Sequence, residues 1–305
     1  MAKQSLAFRI KKDWTLHWQA FLMIIPAIGL TILFSYVPMY GVILAFKKYK
    51  AIKGIWGSEW VGLQHFQKFF STPYFWQLLR NTVIFSLYGS AVGYPLAIIL
   101  ALFINELRHL RFKKVVQTIS YMPYFISTVV ICGMLKNFLS SDGLFNAIAK
   151  LFGKTPTNLL SNPAAFRHII VWSDQWQSLG WNTIIYLSAL AGIDQQLYEA
   201  ARIDGCGRFR QAWHVTIPGI LPTIIILLIL NFNPLGAGYD KIILLYSPLT
   251  YETGDIFGSY TYRIGIQGGQ YDYTTAIGLC GTIVAFATTV FVNWLSRKLT
   301  DTSLW

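Results

Sequence analysis

The chain has 305 residues, of which 54% are hydrophobic and only 12% are charged. Soluble globular domains carry about 25% charged residues, so the composition excludes an ordinary soluble domain and indicates a protein that crosses a membrane several times. The formal net charge of +12 is explained by loops that face anionic lipid. Neither a nucleic-acid partner nor, with three cysteines, a disulfide framework is predicted.

Apolar runs of about 20 residues, the length that crosses a bilayer, predict an all-α membrane protein with six spans. Before the first run, "SLAFRIKKDWTLHW" mixes basic and apolar residues and predicts a helix lying in the cytoplasmic interface. The predicted spans are Trp18–Phe46, Thr82–Ile104, Val115–Phe138, His168–Leu190, Ile220–Leu245 and Ala276–Leu295. The chain thus divides into residues 1–75 (interfacial helix, first span and external loop), 76–298 (a five-span core) and 299–305 (a cytoplasmic tail).

Basic residues close to the ends of the spans predict that both termini lie in the cytoplasm. The segments "NELRHLRFKK" and "SRKLTDTSLW" carry such residues beside the second and sixth spans. This orientation also places the soluble-looking segment "EAARIDGCGRFRQAWHVTIPG", which separates the fourth and fifth spans, in the cytoplasm.

The segment of residues 199–218, here called the EAA segment, predicts two short helices. From Gln195 onward, one helix face is formed by residues at helical spacing. These residues are Leu197, Ala200, Ala201 and Asp204. Gly205 permits the left-handed conformation that ends a helix, and Asp204 is expected to cap the second helix. Pro218 is expected to close this compact unit at the entrance to the fifth span.

Polar residues inside the later spans predict a substrate pathway, because such residues usually face a cavity. Asp174, Ser178 and Asn182 recur every four residues and share a helix face. Aromatic rings and further amides nearby would stack on and hydrogen-bond a sugar. The candidate pathway residues are Trp172, Asp174, Trp176, Ser178, Asn182, Asn231, Asn233 and Tyr239. The alternative is that these side chains hold neighbouring helices together.

The sequence lacks the features that other classes of membrane protein need. A membrane-embedded glycan or lipid transferase needs clustered acids or histidines, but the five histidines are scattered and show no metal-ligand spacing. A secondary transporter needs an internal repeat or a series of intramembrane acids, and only Asp174 is a good candidate. The sequence contains no G-x-x-x-x-G-K-[ST] phosphate-binding motif, so the chain itself is not expected to hydrolyse ATP.

The motif "EAARIDG", followed by Pro218, resembles the EAA loop of permease subunits of bacterial binding-protein-dependent ABC importers. The matching residues are Glu199, Ala200, Ala201, Asp204, Gly205, Val215, Ile217 and Pro218. The chain departs from the family pattern at Cys206, where Ala is usual, and at Ala212, where Phe is frequent. Beyond this loop, "YVPMYGVILAFKKYK", "GIWGSEWVGLQHFQKFF" and "YTYRIGI" resemble the polysaccharide-type sugar permeases of the maltose-importer superfamily.

This resemblance implies an ABC importer type I permease fold in the bacterial cytoplasmic membrane. It implies a second homologous permease as partner, two cytoplasmic ATPase subunits that hold ATP and Mg²⁺ and dock on the EAA segment, and an external solute-binding protein. No cofactor is expected in this chain. The cargo implied is a saccharide, and Lys136, Lys241 and Arg263 would attract an acidic, uronate-containing one.

Overall fold

The computed structural model of the chain describes residues 6–231 and 236–300. The described residues are almost entirely helical, because a backbone in lipid must satisfy its hydrogen bonds internally. The helices are α1 (Leu6–Thr31), α2 (Gly54–Gly57), α3 (Gln64–Phe70), α4 (Pro73–Glu106), α5 (Leu110–Tyr121), α6 (Thr128–Leu139), α7 (Leu144–Leu151), α8 (Pro163–Ala191), α9 (Gln195–Ile203), α10 (Arg208–Gln211), α11 (Ile217–Asn231), α12 (Tyr239–Leu245), α13 (Tyr251–Gly254), α14 (Phe257–Thr261) and α15 (Tyr271–Thr300). Two short strands, β1 (Lys47–Lys48) and β2 (Glu59–Trp60), pair antiparallel.

The first span belongs to one long helical rod. Helix α1 continues without a break into a π-helical segment (Ile32–Tyr36) and a 3-10 segment (Val37–Phe46). The predicted span Trp18–Phe46 is apolar enough to cross a membrane, and its most apolar stretch is not buried within the chain. The rod packs on α15 through Val37–Phe46. The predicted interfacial helix continues into this rod, and its position in the interface stays a prediction.

Within the described residues, four helical stretches are long and apolar enough to span a membrane, and a bent pair adds a fifth candidate. The four are Trp18–Phe46, Pro73–Glu106, Arg208–Leu230 and Tyr271–Lys298. The bent pair replaces the straight third span of the prediction, since Leu110–Phe125 and Thr128–Leu151 meet at 91°. Pro123, which lacks a backbone N–H, lies in the 3-10 segment Met122–Phe125 at this bend.

The predicted count of six spans is not confirmed, because α8, the helix of the predicted fourth span, is too polar to be counted. It has 29 residues, which is long enough, but its Asp174, Gln175, Gln177 and Asn182 lower its hydropathy. Helix α8 makes the most extensive helix–helix contact of the described chain, with α4. Its polar side chains are therefore shielded from lipid by neighbouring helices or line a cavity.

The predicted fifth span, Ile220–Leu245, is not one continuous helix among the described residues. Its helix begins earlier, at Arg208, and runs through a π-helical segment (Ala212–Thr216) into α11, which ends at Asn231. Helix α12 is separate and begins after Gly238, whose φ of 71° is left-handed. Glycine tolerates this conformation without steric cost. The sequence itself predicts a break at Asn233, Pro234 and Gly236. Asn233 and Pro234 lie outside the described residues, and Gly236 lies in the turn before α12.

The core is divided into three clusters along the helix bundle. One joins α4, α6, α8 and α12 around Phe166 and Ile242. A second joins α3, α4, α14 and α15 around Phe69 and Phe257. The third joins α4, α8 and α11 around Tyr186 and Ile220. Helix α4 contributes to all three clusters and is the common wall of the bundle.

Candidate functional site

A cavity of about 420 Å³, here called the central cavity, lies between α4, α8, α11 and the start of α12. Glycines make room for it: Gly89 and Gly93 of α4 line the cavity, and a Cβ at Gly93 would lie 2.4 Å from Oε1 of Gln175. The polar side chains that line it are Ser86, Ser90, Thr128, Asp174, Gln175, Ser178, Asn182, Tyr239, Asp240 and Lys241. The cavity is thus rich in hydrogen-bonding groups, many of which come from the polar helix α8.

An ion pair crosses one wall of the central cavity. Lys241 Nζ lies 3.3 Å from Asp174 Oδ1, and the side-chain exposures are 2% for the lysine and 45% for the aspartate. Within the described residues, this Nζ has no well-aligned hydrogen-bond acceptor. A buried ammonium without a full set of acceptors has capacity for another anionic or carbonyl oxygen. The sequence predicts Lys241 only as one of three basic residues that would attract an acidic cargo, and the fold decides its place in the cavity wall.

The predicted polar stripe of α8 is brought together on the cavity wall. Asp174, Ser178 and Asn182 all line the central cavity, and Ser178 Oγ donates to the Asp174 backbone carbonyl at 2.8 Å. Trp172 and Trp176 lie instead on a separate apolar cavity between α6, α7 and α8. Residues two positions apart on a helix point to opposite sides, which separates the tryptophans from the stripe.

The remaining predicted pathway residues have different outcomes. Tyr239 lines the central cavity, and its ring packs so closely on Gly258 that a Cβ there would lie 2.6 Å from Cδ2. Asn231 ends α11, and its side chain lies outside what the structure describes. Asn233 lies outside the described residues. The aromatic rings that line the cavity therefore come from Phe85, Tyr94, Tyr186 and Tyr239, and none comes from a tryptophan.

The EAA segment forms the predicted pair of short helices, α9 and α10. Asp194 caps α9 by accepting from the backbone N–H of Gln196, and Gly205 ends it with a left-handed φ of 74°. Asp204 does not cap α10, because Gly207 holds that position without a side-chain hydrogen bond. Pro218 does not close the unit either: it lies inside the helix that continues into α11.

Side-chain hydrogen bonds tie the two helices of the EAA segment to each other. Tyr198 Oη donates to Thr216 Oγ1 at 3.0 Å, and Gln211 Nε2 donates to the Cys206 carbonyl at 2.7 Å. The outward side remains open, since Glu199, Ala200, Asp204, Gly205 and Pro218 are exposed and Ala201 is half-buried. The segment is therefore an internally hydrogen-bonded unit with one exposed side.

At the opposite end of the bundle, here called the outer end, a buried polar cluster fixes the segment between α12 and α15. Asp255 is fully buried, accepts from Ser259 Oγ at 2.6 Å and is ion-paired with Arg263. Burial raises the pKa of the Asp255 carboxyl, and the bonds from Arg263 and Ser259 oppose that rise. The Arg263 guanidinium lies 3.7 Å from the Tyr251 ring centroid. Arg263 is therefore already occupied, while Lys136 is exposed and does not line the cavity.

The sequence model of the family described as "binding-protein-dependent transport system inner membrane component" matches residues 93–301. The chain belongs to this family. It is 40% identical over 287 residues to the polygalacturonan/rhamnogalacturonan transport system permease protein of Bacillus subtilis, covering 93% of this chain and 89% of the relative. It is also 29% identical to the trehalose/maltose transport system permease protein of Thermococcus litoralis, covering 92% and 94%.

The fold of the permease is similar to that of a solved bacterial ABC transporter involved in the import of the acidic polysaccharide alginate. The TM-score is 0.88 at 37% identity, over 96% of this chain and 99% of the other. The alginate transporter solved with an alginate pentasaccharide-bound periplasmic protein matches equally, at 0.88 and 37%, over 99% and 100%. The predicted ABC importer permease fold is thereby confirmed.

Family membership decides among the functional classes that the sequence left open. The permease is a transport subunit in the bacterial cytoplasmic membrane and works with a second permease, ATPase subunits and a solute-binding protein. It has no ATP site of its own, because in this family the partner subunits hydrolyse ATP. Among the described residues, no cluster of three or more His, Cys, Asp or Glu side chains is arranged to hold a metal ion.

Proposed function

We propose that the permease carries uronate-containing oligo- or polysaccharides through its central cavity, driven by ATP and Mg²⁺ bound to the partner ATPases. Two similar proteins support this cargo: one is named for polygalacturonan and rhamnogalacturonan, and the other imports alginate. All of these polymers contain sugar carboxylates. The matches extend over almost the whole chain, so they include every helix that lines the cavity.

Lys241 is the observation that carries the proposal. Its ammonium is buried in the cavity wall, and Asp174 is the one carboxylate in ion-pair contact with it among the described residues. Because Asp174 is partly exposed, water or a substrate carboxylate can replace it as the partner of the lysine. A charge-assisted hydrogen bond from Lys241 to a uronate would then fix the sugar.

Other cavity groups complete a site for weak, transient binding. Ser178 and Asn182 offer hydrogen-bonding groups to sugar hydroxyls, and Tyr94 and Tyr239 offer ring faces. Asp240 also lines the cavity and repels a uronate. A transport site must bind well enough to admit its cargo but weakly enough to release it, and opposing charges in one cavity meet both needs.

Coupling is assigned to the EAA segment, with Glu199, Ala200, Ala201, Asp204, Gly205 and Pro218 forming the docking site for an ATPase. The small side chains of the alanines allow a close approach, and the exposed Glu199 is available to a basic group of the partner. The hydrogen bonds across the segment and its continuity with α11 support movement as one body. A displacement of the segment would therefore reach the cavity, which Leu227 of α11 lines.

The test uses the complete importer with its solute-binding protein in proteoliposomes. Galacturonate oligosaccharides and their carboxyl-reduced, neutral counterparts of equal length are supplied at saturating binding protein. Wild-type uptake should favour the acidic chain, and Lys241→Met should lower that uptake about tenfold, the worth of a hydrogen bond to a charged group. The control is Lys136→Met, which removes an exposed lysine outside the cavity. Equal uptake of both chains, or an equal loss of both in Lys241→Met, contradicts the proposal.

A further inference from the structure

A further cavity, here called the tyrosine cleft, lies at the outer end of the permease. It has a volume of about 740 Å³. Its walls are formed by the end of the first helical rod and the following residues 49–55, by the π-helical segment Tyr262–Gln267, and by the beginning of α15. Its lining contains four tyrosines, namely Tyr49, Tyr239, Tyr262 and Tyr271. Thr261, Thr274 and Thr275 add hydroxyl groups to the same surface. None of the lining residues carries a charge.

The cleft is built by specific packing rather than by loosely placed loops. Asp272 accepts the backbone N–H of Tyr49 at 2.9 Å and so attaches the outer segment to α15. The Tyr49 and Tyr271 rings meet edge to face, with centroids 6.2 Å apart. On the far side, a Cβ at Gly265 would lie 2.4 Å from Thr274 Oγ1, so only glycine lets these two helical segments approach so closely.

The chemistry of the lining suits a saccharide. Within the described residues, the hydroxyls of these four tyrosines make no hydrogen bond, and they are available to sugar hydroxyls. The ring faces can stack on the C–H face of a pyranose, as aromatic side chains stack on other flat groups. Lys48 and Lys50 are exposed on either side of Tyr49, and they add positive charge at the rim that attracts an acidic chain.

The tyrosine cleft and the central cavity share one lining residue. Tyr239 lines both, and its ring is held against Gly258. A chain of several sugar units can therefore contact the two cavities at once, with Tyr239 between them. We propose that the tyrosine cleft is an outer saccharide subsite, which holds the units that follow the one in the central cavity. This inference rests on the proposed function, because it extends the same pathway.

Chain length provides the test, since a disaccharide can occupy the central cavity alone but a hexasaccharide must also use the cleft. Uptake of each saccharide by the complete importer is measured in proteoliposomes, with the saccharide-loaded solute-binding protein at a saturating concentration. Tyr262→Ala and Tyr271→Ala should each lower hexasaccharide uptake about fivefold, the usual worth of one stacked ring, and leave disaccharide uptake unchanged. Tyr271→Phe keeps the ring and should restore most of the rate.

Tyr74→Ala is the matched control, because Tyr74 is half-exposed at the outer end but does not line the cleft. Equal effects on both lengths, or no effect on either, overturn the subsite. Loss of the partner permease from the Tyr→Ala complexes on size-exclusion chromatography also overturns it, because the cleft is then a subunit interface. If the wild type carries neutral but not acidic chains, only the proposed cargo fails, and the length comparison is made with the neutral chains.

Discussion

Replacing Asp174 by Asn should change which saccharides the permease prefers. In the wild type, the partly exposed carboxylate lies 3.3 Å from the buried Lys241 ammonium. It also lines the cavity, where it can accept hydrogen bonds from a bound sugar. Asn keeps the size of the side chain but removes its charge. A uronate then no longer competes with Asp174 for Lys241, whereas a neutral sugar loses a charged acceptor for its hydroxyls.

The magnitude follows from the geometry of the ion pair. Two unit charges 3.3 Å apart attract with about 5 kcal/mol at an effective dielectric constant of about 20. Because 45% of the Asp174 side chain is exposed, water screens the pair and reduces its net worth to about 1 kcal/mol. Acidic chains should therefore be taken up as well as before or up to about fivefold better. Neutral chains should lose about tenfold, since a hydrogen bond to a charged group is worth about 1.5–3 kcal/mol.

The assay compares acidic and carboxyl-reduced oligosaccharides of one length in proteoliposomes that contain the complete importer. Asp240→Asn is the matched control, because Asp240 lines the same cavity but is not paired with Lys241. Asp240→Asn also removes one negative charge from the cavity, but it leaves Lys241 paired with Asp174. The uptake of both the acidic and the neutral oligosaccharides should therefore change less than in Asp174→Asn. The ratio of acidic to neutral uptake is the quantity to be compared.

Two results would refute the reasoning about Asp174. If Asp174→Asn lowers both uptakes equally while the complex remains assembled, the carboxylate does not discriminate between cargoes. If the complex instead dissociates in detergent, Asp174 holds helices together, as the alternative interpretation of the sequence states. Sizing of the purified complex separates the two cases.

Three further predictions concern the rest of the fold. Gly205→Pro and Glu199→Arg should each abolish ATP-driven uptake but leave the assembled permease in the membrane, since proline cannot adopt the φ of 74° found at Gly205. Normal ATP-driven uptake by both variants would show that the EAA segment does not couple the ATPases to transport. Gly180→Ala should lower the free energy of unfolding by about 1–3 kcal/mol and so lower the melting temperature of the complex, because the added Cβ would lie 2.0 Å from the Ser120 carbonyl oxygen. Gly133→Ala is the control and should have little effect, because its Cβ would meet nothing within 4 Å. In intact spheroplasts an impermeant maleimide should label Lys154→Cys but not Cys206, and the opposite pattern would reverse the topology.

Features that depend on neighbouring residues in the chain could be predicted from the sequence. Composition alone indicated a membrane protein, and the EAA motif pointed to the segment proposed for coupling, whose short helices and left-handed Gly205 the structure contains. The stripe of Asp174, Ser178 and Asn182 lies on one cavity wall, because helical periodicity is set within a few turns. These properties require no knowledge of how the helices pack.

Features that depend on contacts between distant parts of the chain were decided by the tertiary structure. The bend near Pro123 is invisible to hydropathy, because an apolar run keeps its composition when it changes direction. The pairing of Lys241 with Asp174 and the sharing of Tyr239 by two cavities also arise only when separate helices meet. A side chain's charge partner and its cavity are set by packing in three dimensions, which residue spacing within one helix does not encode.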